Sequence, residues 1–265
     1  MSFYGSSFSF DGVACEEFGL MLYDFNNTTQ GNSVFGKSKI YEDRVPLRTR
    51  SLFYGADYED ALEFKLVFGA DEYAASKGED IDRQEMEAIS MWLTGHNAYK
   101  WLTIDQPDMA GIRYRCIIND LEMVEVGFSK WALSCTVHCD SPFAYTYPMS
   151  YEYTVSGSLS AVLSSRSSIN RPYLPKVTVN LPSGGDFSIE NVETGATFQL
   201  KAVPKSVGLI TFDAENGVLS CASGLNMYKY CNFKWPTLLS GDNHLNFTGY
   251  GTVTFTCEFP VNVGG

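Results

Sequence analysis

Positive charge is scarce in this chain. Its 265 residues carry 19 lysines and arginines against 31 aspartates and glutamates, a formal net charge of -12. A grip on nucleic acid needs a clustered positive face, and so does adhesion to an anionic bilayer. Specific nucleic-acid binding and membrane attachment are therefore not expected. Histidine is scarcer still: His96, His138 and His244 are the only three, and they share no ligand-like spacing. The seven cysteines (Cys15, Cys116, Cys135, Cys139, Cys221, Cys231, Cys257) are odd in number and lack CxxC spacing. Cys135 and Cys139 fall in one strand-like run, where an i, i+4 pair lies about 13 Å apart and cannot bridge. Reduced, mostly buried thiols are the expectation, with no metal and no cofactor.

Long apolar runs are missing too. No stretch of 18 apolar residues occurs, and the start, MSFYGSSFSFDG, has neither a basic n-region nor an apolar h-region. The expectation is synthesis in a reducing cytoplasm without membrane insertion, which leaves the sequons at Asn27 and Asn246 without consequence. GxSxG, HExxH, P-loop and GxGxxG motifs are all absent. The acid pairs Glu16-Glu17, Glu59-Asp60, Asp71-Glu72 and Glu79-Asp80 sit in polar, loop-like contexts where solvation is the default. Nothing brings two carboxylates across a cleft, as glycoside hydrolysis requires. No enzyme is expected.

What the chain does have is apolar and aromatic content, 45% and 14%, enough for a packed core. One convincing helix stands in a sequence that otherwise reads as strands, between Ile81 and Asp105. Asp82 and Glu85 form a capping box at its start. Met86, Ile89 and Leu93 then recur at three- and four-residue steps, with Trp92 widening the stripe. Gly95 reads as the stop, a residue that takes the left-handed backbone cheaply. Lys100, Leu102 and Ile104 alternate with Trp101 and Thr103, a strand period.

Phe8 and Phe10 run into Asp11-Gly12, a hairpin turn. Phe18, Leu20 and Leu22 read as a second strand. Residues 24–39 are polar and small, and predict a long loop or extended arm. Ile40 to Leu52 then gathers Arg44, Arg48 and Arg50, which read either as a solvated strand edge or as interface residues, since arginine's planar fork pairs and stacks at little entropic cost. Leu62, Phe64, Leu66 and Phe68 line one face of a strand, and hairpin strands flank Gly127.

Two prolines and a tyrosine cluster in residues 141–157 mark a boundary between domains of 1–148 and 149–265. Beyond it, short strands recur at turn-punctuated spacing (Val177/Val179/Leu181, Phe187/Ile189, Phe198/Leu200, Leu209 to Phe212, Val218 to Cys221, Val253 to Phe259), the pattern of an antiparallel sandwich or jelly roll. Within it, NMYKYCNFKWP carries Tyr228 and Tyr230 on one strand face and Phe233 and Trp235 on the other. Flat rings of this kind stack on sugars, and equally serve a core or a subunit contact. Tyr228, Tyr230 and Trp235 are the candidate glycan-stacking residues.

Taken in order, four stretches make the chain resemble the distal tail proteins of long-tailed bacteriophages. They are the opening SFSFDGV; the arginine segment ending in RSLFYG, followed by the strand LEFKLVFGA; the helix-to-strand passage EMEAISMWLTGHNAYKWLTID with the strand IRYRCII after it; and GLITFDAENGVLS followed by KWPTLLSGDNHLNFTG. The resemblance spans nearly the whole chain. It implies a mainly β protein, with an N-terminal β-sandwich bearing one helix and an extended arm, then a C-terminal galectin-like, jelly-roll sandwich. It further implies a structural virion protein: a homohexameric ring, single or stacked, at the distal end of the tail. Such a ring joins the tail tube and tape-measure protein to an adhesin or tail-associated lysin and lets DNA pass. Phe35, Ile40, Arg44, Arg48 and Arg50 are then the ring-interface candidates, and a carbohydrate-binding tail-tip module is the alternative.

Overall fold

A computed structural model describes residues 7–23, 38–58, 60–70, 81–107, 110–126 and 129–263. Internal packing divides the chain into two units, Met1–Tyr145 with Asn262–Gly265, and Thr146–Val261. The fold is mainly β, as the sequence predicts, and among the described residues it has one α-helix.

The first unit begins with β1 (Ser7–Phe10) and β2 (Val13–Ala14), joined at Asp11 and Gly12 with φ of 53° and 83°. Two consecutive positive φ values define the tight turn whose twist suits a hairpin. Phe18, expected in a strand, instead closes a 3-10 turn over Cys15–Phe18, ahead of β3 (Leu20–Leu22). Among the described residues the next two strands, β4 (Ser38–Asp43) and β5 (Leu52–Tyr58), pair only with each other. The main sheet resumes with β6 (Glu63–Ala70), β7 (Lys100–Asp105), β8 (Ile112–Val126) and β9 (Ser129–Cys139), in the spatial order β2-β1-β7-β8-β9-β6-β3. The hairpin turn expected at Gly127 lies outside the described residues. Strands β1 and β3, far apart in that order, still meet, so the sheet curls around its core. The expected one-face strand is present: Leu66 and Phe68 are buried, and Phe64 packs half-buried against them.

The helix α1 (Arg83–Thr94) fills the curl. Its predicted capping box forms: the Glu85 amide donates to Asp82 Oδ1 at 2.8 Å and the Asp82 amide to Glu85 Oε2 at 2.9 Å. Ile89, Trp92 and Leu93 are buried. The Trp92 ring stacks on Phe18 at 4.6 Å and Phe8 at 5.7 Å, and its Nε1–H donates to the Phe10 carbonyl at 3.0 Å. Gly95 ends the helix for a reason other than the expected one. Its φ is -72°, not left-handed, and a Cβ there would collide with the Met91 carbonyl oxygen. The site needs a residue without a side chain rather than one with a free φ. The chain's last segment returns here, with Val263 buried in this first core.

A short strand, β10 (Ala144–Thr146), leads on to β11 (Met149–Ser165), so Tyr151 and Tyr153, which read as linker, lie in a 17-residue strand. The second unit continues with β12 (Lys176–Asn180), β13 (Gly185–Asn191), β14 (Ala196–Val203), β15 (Leu209–Asp213), β16 (Val218–Cys221), β17 (Gly241–Cys257) and the short β18 (Pro260–Val261). One edge of β17 pairs with β11 along its whole length. The other pairs first with β13, through 245–248, and then with β12, through 252–256. The strand therefore belongs to both layers of a sandwich and folds sharply between them.

Distances measure the bend. Phe247 and Phe255, eight residues apart, would sit about 26 Å apart on a straight strand; their ring centroids are 6.3 Å apart. In the partner strand, Tyr151 Oη donates to the Ser164 carbonyl at 3.3 Å, across a separation of about 43 Å if extended. The fold falls at Gly249 and Gly251. Gly249 has φ +128°, and a Cβ on it would lie 2.6 Å from the Asp186 carbonyl oxygen; one on Gly251 would overlap that of Asn180. Across the core, Phe198 of β14 meets Phe212 of β15 at 4.5 Å.

All seven cysteines are free, with five buried and Cys221 and Cys231 half-buried. Burial pushes the Cys135 and Cys139 thiols up to about 12.

Candidate assembly interface

The ribbon of β4 and β5 stands apart in chemistry as well as pairing. Not one described side chain between 39 and 58 is buried. Six of them are large and apolar yet open to solvent: Ile40 at 59%, Tyr41 at 48%, Val45 at 40%, Leu47 at 106%, Phe53 at 66% and Tyr54 at 65%. A two-stranded ribbon is marginal in water without a surface to lie on, and apolar exposure of this density marks an interaction site.

The sequence builds the ribbon locally. Its strands pair antiparallel from Ser38↔Tyr58 to Asp43↔Leu52, with one irregularity between Tyr41 and Glu42 that twists the edge. Ser51 Oγ donates to Glu42 Oε2 at 2.6 Å. Beyond them, Pro46 and Leu47 form a reverse turn closed by the Arg48 amide donating to the Val45 carbonyl at 3.2 Å. Leu47 has φ +69°. That is the geometry of a type II turn with proline at its second position, where the third is ordinarily glycine. A leucine there sits in a strained conformation while wholly exposed.

Of the ring-interface candidates, the structure brings four together. Ile40 lies on β4; Arg44, Arg48 and Arg50 are exposed on the segment joining β4 to β5. Their guanidinium groups form no ion pair with any described residue. Phe35 lies outside the described residues. Reading for arginine alone missed Tyr41, Val45, Leu47, Phe53 and Tyr54. Their signal was the nearly mirrored pattern of apolar and aromatic residues about Pro46, from Ile40-Tyr41 to Phe53-Tyr54.

The glycan-stacking candidates fall elsewhere and are tied into the second unit. Residues Met227–Lys229 form a 3-10 turn, so Tyr228 and Tyr230 do not share a strand face. The Tyr228 hydroxyl accepts from the Leu219 amide at 3.0 Å and donates to the Gly217 carbonyl at 3.1 Å. Trp235 stacks at 6.4 Å on the buried Phe198. All three rings are half-buried against the core, which leaves little flat area for a sugar. Among the described residues, no group of three or more His, Cys, Asp and Glu side chains could hold a metal ion, and no helix is long and apolar enough to cross a membrane.

Two β-rich units, one of them extending an exposed apolar ribbon, have the features of a structural protein that makes contacts rather than chemistry. The chain belongs to a family of phage tail proteins, matching its phage tail protein N-terminal domain over residues 3–141 and its phage tail C-terminal domain over residues 143–257. It is a structural component of the virion tail. No curated protein matches it significantly in sequence. Among solved structures, the Dit (gp 19.1) protein of phage SPP1, described as a paradigm of hub adsorption apparatus in Gram-positive infecting phages, is similar. Its TM-score is 0.70 at 11% identity, covering 96% of this chain and 98% of that one. At this identity the likeness is one of fold, and it extends over both units. Chains of the phage P2 baseplate in its activated conformation, with calcium and with strontium, match at TM-scores of 0.47, with 8% and 9% identity and 90% of each chain covered.

Proposed function

We propose that the chain is a ring-forming hub at the distal end of the tail, made in the host cytoplasm, with no catalytic role. The first domain, residues 1–148, closes a six-fold ring in which the β4–β5 ribbon of each subunit lies on its neighbour. A head-to-tail interface closes into a ring when its rotation fits, and a ribbon adds contact area without enlarging the domain. The second domain, residues 149–265, holds the tip apparatus, an adhesin or tail-associated lysin. The tail tube and the tape-measure protein meet the ring from the other side. DNA leaves through the lumen, and the net charge of -12 favours a surface that repels the phosphate backbone and lets it slide.

The observation that carries this reading is the exposed ribbon, with Ile40, Leu47, Phe53 and Tyr54 open and Arg44, Arg48 and Arg50 exposed and in no ion pair with a described residue. The test is mass in solution. Six copies of the 29.5 kDa chain weigh about 177 kDa. The intact protein should reach that mass, and a variant with residues 39–57 replaced by a short glycine-serine link should fold and remain a monomer. A stable monomer of the intact chain at high concentration would sink the proposal.

A further inference from the structure

The second unit has its own exposed, strained side chain. Phe233 has φ +58° and is 60% exposed. Its frame is over-determined. Asn232 Oδ1 accepts from the Gln199 amide at 3.0 Å and the Lys234 amide at 3.3 Å, and Asn232 Nδ2 donates to the Thr197 carbonyl at 2.7 Å. The ring lies 14° from parallel over Tyr228, at 6.0 Å. Tyr228 is itself pinned through its hydroxyl to Gly217 and Leu219. One face of Phe233 thus rests on a rigid pedestal and the other is open.

Three lysines lie on the same and the paired segment. Lys229 and Lys234 are exposed within four residues of Phe233. Exposed Lys201 is held alongside, its amide donating to the Tyr230 carbonyl at 2.8 Å. None of the three ammonium groups is paired with a described residue. A ring held in a strained backbone by a fully bonded frame is the arrangement found at ligand clamps.

We propose that Phe233 with Lys201, Lys229 and Lys234 forms a binding site for a phosphate-bearing glycan, a sugar stacking on the ring and phosphates meeting the lysines. Lysine is depleted in protein interfaces, where arginine is preferred, but serves phosphate well as a point charge. The contrast with the arginine-bearing ribbon therefore favours a phosphate polymer here over a protein. Single-stranded DNA offers related chemistry, but tracking it needs a longer cationic groove with successive aromatic platforms. The site does not depend on the ring reading, and it differs from the Tyr228, Tyr230 and Trp235 set in that its stacking ring faces solvent.

The test measures binding of the full chain to a glucosylated poly(glycerol phosphate), with neutral dextran and an oligothymidylate as comparators. The glycopolymer should bind in a salt-dependent manner, and dextran and oligothymidylate should bind at least tenfold more weakly. Phe233→Tyr should keep the affinity. Phe233→Gly, which removes the ring and relieves the backbone, should weaken binding by about fivefold or more and melt no more than about 3 °C below the parent. The double variant Lys229→Gln/Lys234→Gln should flatten the dependence on salt by roughly one to two released counterions. Absent binding, a parent-like affinity in Phe233→Gly, a parent-like salt dependence in Lys229→Gln/Lys234→Gln, or stronger binding of oligothymidylate would overturn the proposal.

Discussion

Replacing Leu47 with glycine should have opposite effects on the subunit and on the ring. In the free subunit Leu47 is wholly exposed with φ +69°, so the substitution removes no packing. A left-handed conformation costs an L-residue about 1–2 kcal/mol. Glycine avoids most of that and loses roughly 0.5–1 kcal/mol in chain entropy, so the subunit should be unchanged or stabilised by up to about 1 kcal/mol. At an interface the balance reverses. Fully burying a leucine contributes about 1.5–3 kcal/mol, a factor of roughly 10 to 100 in the dissociation constant of each contact. A ring of six repeats that loss at every contact. Sedimentation across a concentration series, paired with thermal melting, reads both quantities. Leu47→Gly should melt at or above the parent's temperature while its ring dissociates at far higher protein concentration. A variant that assembles like the parent would refute the reasoning, and one that melts clearly lower would show Leu47 packing within its own subunit.

Three other expectations concern the scaffold. Asn243, fully buried, accepts from the Leu239 amide and Asn191 Nδ2 and donates to the Leu239 and Gly241 carbonyls; Asn243→Ala should cost about 3 kcal/mol in urea unfolding with an unchanged slope. Trp92→Phe removes the hydrogen bond to the Phe10 carbonyl and shortens the stack, and should cost about 2–3 kcal/mol by the same measurement. Burial raises the thiols of Cys135, Cys139 and Cys257 to about 12 and that of Cys116 further still. Unfolded thiols ionise near about 8.5. The folded state therefore binds the extra protons, and this contribution is complete below about pH 8.5 and lost as the pH rises toward 12. The urea midpoint should fall steadily from pH 8.5 to 11, and less steeply in Cys135→Ala; a midpoint equally steep in that variant would contradict the assignment.

How far the sequence could be read depended on whether the information was local. The helix was legible because Asp82, Glu85 and the Ile89–Trp92–Leu93 stripe all act within a few turns, though Gly95 serves by its size rather than its φ. The longest strands of the second unit were harder: β11 was not found, and β17 only over its second half, from Val253. In β11 the inward positions run from Met149 through Tyr151, Tyr153, Val155, Leu159 and Ala161 to Leu163 and the outward ones are mostly serine, but Gly157 interrupts the series, and the tyrosines that begin it read as a boundary. In β17 the glycines at 249 and 251 fold a continuous strand; whether a glycine ends a strand or bends it depends on what Asp186 and Asn180 place beside it. The short strands β12 to β16 carried bulky, alternating residues and were found. At the interface, arginine marked the right segment, but exposure of Tyr41, Leu47, Phe53 and Tyr54 depends on the ribbon pairing with neither sheet. The strand face expected for Tyr228 and Tyr230 failed because Asn226 caps a 3-10 turn there, its side chain accepting from the Tyr228 amide at 3.1 Å.

Electron-microscopic imaging of the purified, assembled protein tests the central claim most directly. Six-fold rings with an open lumen are expected, each β4–β5 ribbon lying on the adjacent subunit. Isolated monomers, or rings whose ribbons project into solvent without touching a neighbour, would contradict it.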